Sequence, residues 1–158
     1  MSHIATVTLT IKSLEALKRA CQKLGLRLNL GQQTFKWFGT DKPWYQAEAS
    51  GLKNGIPVKD YGKCRHAISI PGNQAAYEIG VIQQGNDLKL ALDWYDERNG
   101  LGAANGMCEK VGGAGCETLI QEYAVQVAEM EAQELLAQGW TMERIEQTNG
   151  DVQIVLEQ

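Results

Sequence analysis

The chain has 158 residues, 44% of them hydrophobic and 22% charged, with a formal net charge of −4. That is the make-up of one ordinary domain large enough for its own core. The acidic balance argues against a sequence-independent grip on a nucleic-acid polymer, which needs many Lys and Arg to displace counterions, while a small nucleotide needs only a local cluster.

Residues 1–11 carry neither a basic leader nor a continuous apolar block, so no signal peptide is expected. No apolar run approaches the roughly 20 residues that cross a bilayer. The expectation is a cytoplasmic protein without membrane contact, in a compartment where thiols stay reduced. The four cysteines are then core fillers, metal ligands or redox groups before they are disulfides.

Thr6, Thr8 and Thr10 alternate with Val7, Leu9 and Ile11, the period of a half-buried strand. Ser13 can cap a following helix, because its oxygen accepts a free first-turn N–H. Leu14, Leu17, Cys21 and Leu24 recur at helical spacing, and Gly25 stops the helix. Cys21 reads as a small buried hydrophobe. Residues 26–30 and 34–38 read as a short hairpin around Gly31-Gln32-Gln33. From 39 to 62 the pattern dissolves into a long irregular insertion punctuated by Pro43, Gly51, Gly55 and Pro57. Trp37, Trp44 and Tyr45 sit beside it, either as local packing or as a stacking surface for a flat ligand.

Residues 66–70 form a strand ending at Pro71-Gly72. Tyr77, Ile79 and Val81 alternate in the next strand, Gly85-Asn86-Asp87 turns, and Leu88, Leu90 and Leu92 alternate in a third. The three form an antiparallel meander. A glycine-rich loop over 99–116 leads to a long helix over 117–138, with Ile120, Ala124, Val127, Ala128 and Leu135 as its buried stripe. Asn149-Gly150 between alternating runs signals a terminal hairpin. A two-residue turn there places Ile145 opposite Ile154. The order strand, helix, strands, helix, hairpin predicts a single α+β domain over 1–158 with a mostly antiparallel sheet and both helices on one face. The other face is solvated, covered by the long loop, or free for a partner.

Five short motifs add a family resemblance: the opening Met1-Ser2-His3, Tyr77-Glu-Ile-Gly-Val81, Leu92-Asp-Trp94, Tyr123-Ala124, and the closing pattern from Gly139 through Asn149-Gly-Asp-Val-Gln-Ile-Val-Leu156. On these the chain resembles a domain-of-unknown-function family of small proteins encoded by phages, by bacteria including cyanobacteria, and by algal plastids. The likeness spans most of the chain and is thinnest over 40–62. It implies a single domain and brings no established activity with it.

Chemistry concentrates in 61–72 and 99–116. Cys64 and His66, two apart on a strand, project from one face. With Cys108 and Cys116 they could complete a zinc site of three sulfurs and one nitrogen, although seven residues separate Cys108 from Cys116 where zinc knuckles place two to four. The alternative is a buried Cys64 and a hydrogen-bonded His66. A Cys–His nucleophile pair using Cys64 or Cys116 would need His66 as base and a third group to orient it.

The glycine-rich stretch has no Gly-x-x-x-x-Gly-Lys-[Ser/Thr] pattern. It ends at a helix start, where free N–H groups favour anions, so Gly112, Gly113 and Lys110, with Lys63 and Arg65 brought near by the fold, are candidates to hold a small anionic ligand. Asp93, Asp96 and Glu97 read as surface charge. The first functional reading is a non-enzymatic binding or adaptor protein of phage type. Its partner is a second copy, a host protein or a small anion. The second is a metal- or thiol-dependent enzyme built on Cys64, His66, Cys108 and Cys116.

Overall fold

Three-residue strand β1 (Ile4–Thr6) opens the chain against what becomes the far end of a meander. The computed structural model describes residues 4–7, 9–41, 52–53, 56–93, 106–113 and 115–158. Trp44, Tyr45, Asp96, Glu97 and much of the 39–62 and 99–116 segments lie outside the described residues.

Helix α1 (Leu14–Lys23) starts where expected, with Ser13 Oγ accepting from Ala16 N–H at 3.0 Å. A second group finishes that start. The Tyr123 hydroxyl accepts from the Lys12 and Ser13 backbone N–H groups at 2.9 and 3.2 Å. Ala16, Leu17, Ala20 and Cys21 form its buried face. Gly25, at φ +72°, lets the chain turn into β2 (Arg27–Leu30).

Two short strands follow, β3 (Leu52–Lys53) and β4 (Ile56–Pro57), paired with each other. The meander is β5 (His66–Ser69), β6 (Ile79–Gln84) and β7 (Asp87–Asp93). The main sheet has the order β1-β7-β6-β5-β2, antiparallel at every pairing. α1 therefore carries the chain from one edge of the sheet to the other. Residues 34–38 do not pair with β2 as the sequence suggested. β2 pairs with β5 instead, and Thr34 bridges Lys63.

Register then sorts the side chains. Leu28, Ile68 and Ile79 are neighbours across three strands, and Val81 faces Leu90. All five pack against α1, together with Met107 and Val111 of α2 (Met107–Val111) and Leu119 and Tyr123 of α3 (Glu117–Ala137). On the opposite face Asn29, Ala67, Gly80, Ala91 and Thr6 make one row of small residues. Phe35 lies on that row so closely that a Cβ at Gly80 would sit 2.4 Å from its ring. Phe35, Trp37, Ile56 and Tyr61 complete a second core there with Ile4, Ala67, Ile82 and Ala91. The sheet is thus covered on both faces, by helices on one and by Phe35, Trp37, Ile56 and Tyr61 on the other.

α3 has two neighbours to satisfy, which shifts its buried stripe. Leu119 and Tyr123 are buried against the sheet side, Ile120 and Val127 half-buried beside them, and Ala124 is exposed. Glu122, Val125 and Gln126 are buried as well, on the side toward the terminal hairpin of β8 (Thr141–Glu146) and β9 (Val152–Glu157). Arg144 of β8 makes a bidentate pair with Glu122, at 3.0 and 2.8 Å, and Gln126 donates to the same carboxylate at 3.0 Å.

The hairpin register differs by one from the two-residue turn expected. Gln147 N–H donates to Asp151 C=O, the Asn149 side chain accepts from Asp151 N–H, and Gly150 takes φ +90°. That is a three-residue loop with a left-handed glycine. Ile154 accordingly lies opposite Arg144, and Ile145 opposite Gln153. Among the described residues no helix is long and apolar enough to cross a membrane.

Candidate functional site

The segment covering the second face is held by backbone pairing from two directions. Phe35 N–H donates to Gly62 C=O at 2.8 Å and Cys64 N–H to Gln33 C=O at 2.9 Å. Arg65 N–H then donates to Val81 C=O at 2.9 Å, which returns the chain to the sheet. Lys63, Cys64 and Arg65 occupy this crossing, ahead of β5. Trp37 is packing rather than a stacking surface. It is 4% exposed and meets Tyr61 edge-on at 5.6 Å. A Cβ at Gly39 or Gly62 would strike its indole at 2.4 or 2.3 Å.

Beside the crossing lies a cleft of about 350 Å³. Lys63, Arg65 and Asp60 rim it with Gln83 and Gln84, and Cys64, Ile56 and Ile82 supply its apolar surface. Lys63 pairs with Asp60 at 3.1 Å, and Arg65 donates to the Gln83 side chain. Two exposed cations against one carboxylate leave this cleft electropositive. The charge suits an anion, and the exposed rim lets one enter without burying an unpaired ion. Asp60, Gln83 and Gln84 carry no sequence signal of their own. The meander register, which sets His66 opposite Val81, is what brings Gln83 to Arg65.

The other predicted residues lie elsewhere. Lys110 Nζ reaches Leu24 C=O at 3.5 Å, a cation at the C-terminal end of α1 where the helix dipole favours it. Gly112 and Gly113 both donate N–H to Cys108 C=O as α2 ends, and a Cβ at Gly112 would strike Thr118. They build the α2–α3 corner. α1 ends beside Arg27, which pairs with Ser69 at the far end of β5, whereas Lys63 and Arg65 precede its start. The fold separates Lys110 from Lys63 and Arg65 rather than gathering them.

The cysteines divide the same way. Cys64 packs with the second core, Cys108 and Cys116 with the helix-side core, so the sheet stands between them. Among the described residues no three His, Cys, Asp or Glu side chains form a metal-holding group. Cys64 and His66 do not share a face, because the chain joins the sheet only at Arg65. His66 lies across from the helix-side Val81, and its Nδ1 accepts from Gly31 N–H at 2.9 Å. Burial, and then Arg65, pull its pKa below the usual histidine value. Burial pushes the thiols of Cys21, Cys64 and Cys116 up to about 12, with Glu78 adding to the effect at Cys64. Cys64 Sγ donates to Gln32 C=O at 3.1 Å. Asp93 is not surface charge: it is 2% exposed and accepts from Phe38 N–H at 3.1 Å.

Charge along the chain is uneven. Residues 1–93 hold twelve Lys and Arg against seven Asp and Glu, and residues 107–158 hold two against ten. The cleft belongs to the positive part.

No family model, curated protein or solved structure matches the chain. The family likeness therefore rests on the sequence motifs alone, and the functional reading rests on the geometry.

Proposed function

We propose that this is a binding protein that captures a small anionic ligand in the cleft rimmed by Lys63 and Arg65. The observation that carries the reading is that both cations, which belong to no named helix or strand, are fixed by backbone pairing on one rim of a single cleft. Gln83 holds the Arg65 guanidinium at the rim, its oxygen accepting from Arg65 and its nitrogen donating to Gly85 C=O. The adaptor form of the reading, with a free sheet face for a protein partner or a second copy, loses support, since Phe35, Trp37 and Tyr61 fill that face. On this proposal the protein acts in the cytoplasm as a phage-type capture protein.

The thiol-enzyme reading has less behind it. A thiol with a pKa near 12 is protonated at neutral pH and is a poor nucleophile. The histidine nearest Cys64 in sequence spends its Nδ1 on Gly31.

The test is isothermal titration with inorganic phosphate, pyrophosphate, AMP and ADP. At least one should bind, with affinity falling as salt rises, and a K63A/R65A double variant should lose about tenfold or more of it. Absence of heat across the panel, or an unchanged double variant, would overturn the proposal.

A further inference from the structure

A second concavity lies on the same face of the sheet, at the β2 edge where the covering segment stops short. It measures about 370 Å³, within the range of small-molecule sites. Its floor is the outer part of β2 and β5: Arg27 lies opposite Ser69, and Asn29 Nδ2 donates to Ser69 Oγ at 2.9 Å. Its walls are the covering segment, through Gln32 and Lys36, and the β5–β6 connection, through Asn73 and Gln74.

The polar groups are positioned rather than loose. Glu78 fixes the covering segment: its carboxylate accepts from Lys36 N–H at 2.8 Å and from Gln32 Nε2 at 3.1 Å, and its own N–H donates to Lys36 C=O at 2.9 Å. Lys36 Nζ ties that wall to the opposite one by donating to Gln74 C=O. The Asn29–Ser69 bond leaves the Asn29 carbonyl and the Ser69 hydroxyl hydrogen uncommitted. Arg27 is exposed and has no partner among the described residues.

The chemistry of this lining selects a ligand class. No aromatic side chain lines the cleft, so it lacks a platform for a nucleobase. A hydroxyl and several amides can each donate and accept, which matches a run of ligand hydroxyls. Arg27 offers a planar fork of donors for a carboxylate or phosphate, and Lys36 adds a second cation against the one carboxylate of the lining, Glu78, whose oxygens are taken up by Lys36 N–H and Gln32. We infer that this cleft binds a small polyhydroxylated anion of the sugar-phosphate or sugar-acid class, anchored by Arg27 and read by Asn29, Ser69 and Gln32. It is separate from the Lys63–Arg65 cleft, and either site can exist without the other.

The experiment is an NMR titration of the full chain, following side-chain amide signals, with glucose 6-phosphate, gluconate, glucose and inorganic phosphate as probes. Glucose 6-phosphate or gluconate should shift the Asn29 and Gln32 amides more than glucose or phosphate at equal concentration. R27A, at an exposed position without a partner among the described residues, should weaken that binding about tenfold, and K63A/R65A should leave it unchanged. S69A gives an independent reading, with selective loss for the hydroxylated probes. The inference is overturned if none of the probes shifts these amides at millimolar concentration. Phosphate matching glucose 6-phosphate would overturn it as well, and so would an R27A protein that binds normally.

Discussion

The main sheet and the terminal hairpin bury their apolar residues in different ways. In the sheet, Ile68, Ile79, Val81 and Leu90 are fully buried, and cores lie on both faces. In the hairpin no residue from 141 to 158 is buried, and it is fastened to α3 by the Arg144–Glu122 pair, a hydrogen bond from the Gln121 side chain to Gly150 C=O, and half-buried Val152, Ile154 and Leu156. Charge follows the same division, with cations over 1–93 and carboxylates over 107–158. A two-sided sheet draws its stability from area removed from water. A one-sided hairpin leans instead on a part-buried ion pair, whose two partners depend on each other. Both clefts lie against the sheet, the better-buried member of the pair.

The sharpest way to break this comparison is to truncate one apolar residue on each side. Ile79→Ala should cost about 2–5 kcal/mol, because the core cannot collapse around the deleted atoms. Ile154→Ala should cost about 1 kcal/mol, because that side chain is only half removed from water. Urea denaturation of the two variants measures the difference, and equal losses would mean that the hairpin is as much a part of the core as β6.

A smaller effect is expected from Arg144→Met, about 1–3 kcal/mol, since it strands a carboxylate that is 9% exposed. Hydrogen exchange should quicken over 141–158 and stay slow over 79–93. If both regions loosen together, the hairpin does not open on its own.

The gentlest perturbation is acid. The Arg144 hydrogen bond, helped by Gln126, holds Glu122 below the usual carboxylate range. A depressed folded pKa gives stability that is present above the unfolded value, about 4.3, and lost as pH falls through the folded one. Hairpin exchange should therefore quicken between about pH 4 and lower values before the sheet responds. Acid sensitivity that starts in the sheet would reverse the assignment.

The meander was legible because alternation at 66–70, 77–81 and 88–92 is a backbone property with a period of two. The fold class followed from the order of its elements. Phe35 and Trp37 were misread because they alternate as a strand does, yet their partners are small residues on another element rather than a neighbouring strand. Gly80 and Ala67 are visible in the sequence, but only the register shows that they form one shelf. Asn149-Gly150 named the turn without naming its length, and one added residue exchanged Ile145 for Arg144 opposite Ile154. α3 hid its stripe because its two neighbours demand different faces. At the candidate sites, the glycine-rich stretch points to Lys110, Gly112 and Gly113, and Lys63 and Arg65 join them only if the fold brings the two segments together; the cleft holds the last two and none of the first three. Arg27, Asn29 and Ser69 went unnoticed, since residues 40 positions apart in the chain acquire a common chemistry only when β2 lies beside β5.

The Tyr123 hydroxyl joins N–H groups 110 and 111 positions earlier in the chain. A contact of that span closes a long loop, so it forms late in folding or is worth little until other contacts have closed most of the loop. Ser13 can cap the first turn from its own side chain, but the two N–H groups just ahead of that helix wait for the last helix to supply their acceptor. A fragment ending before residue 123 lacks that acceptor.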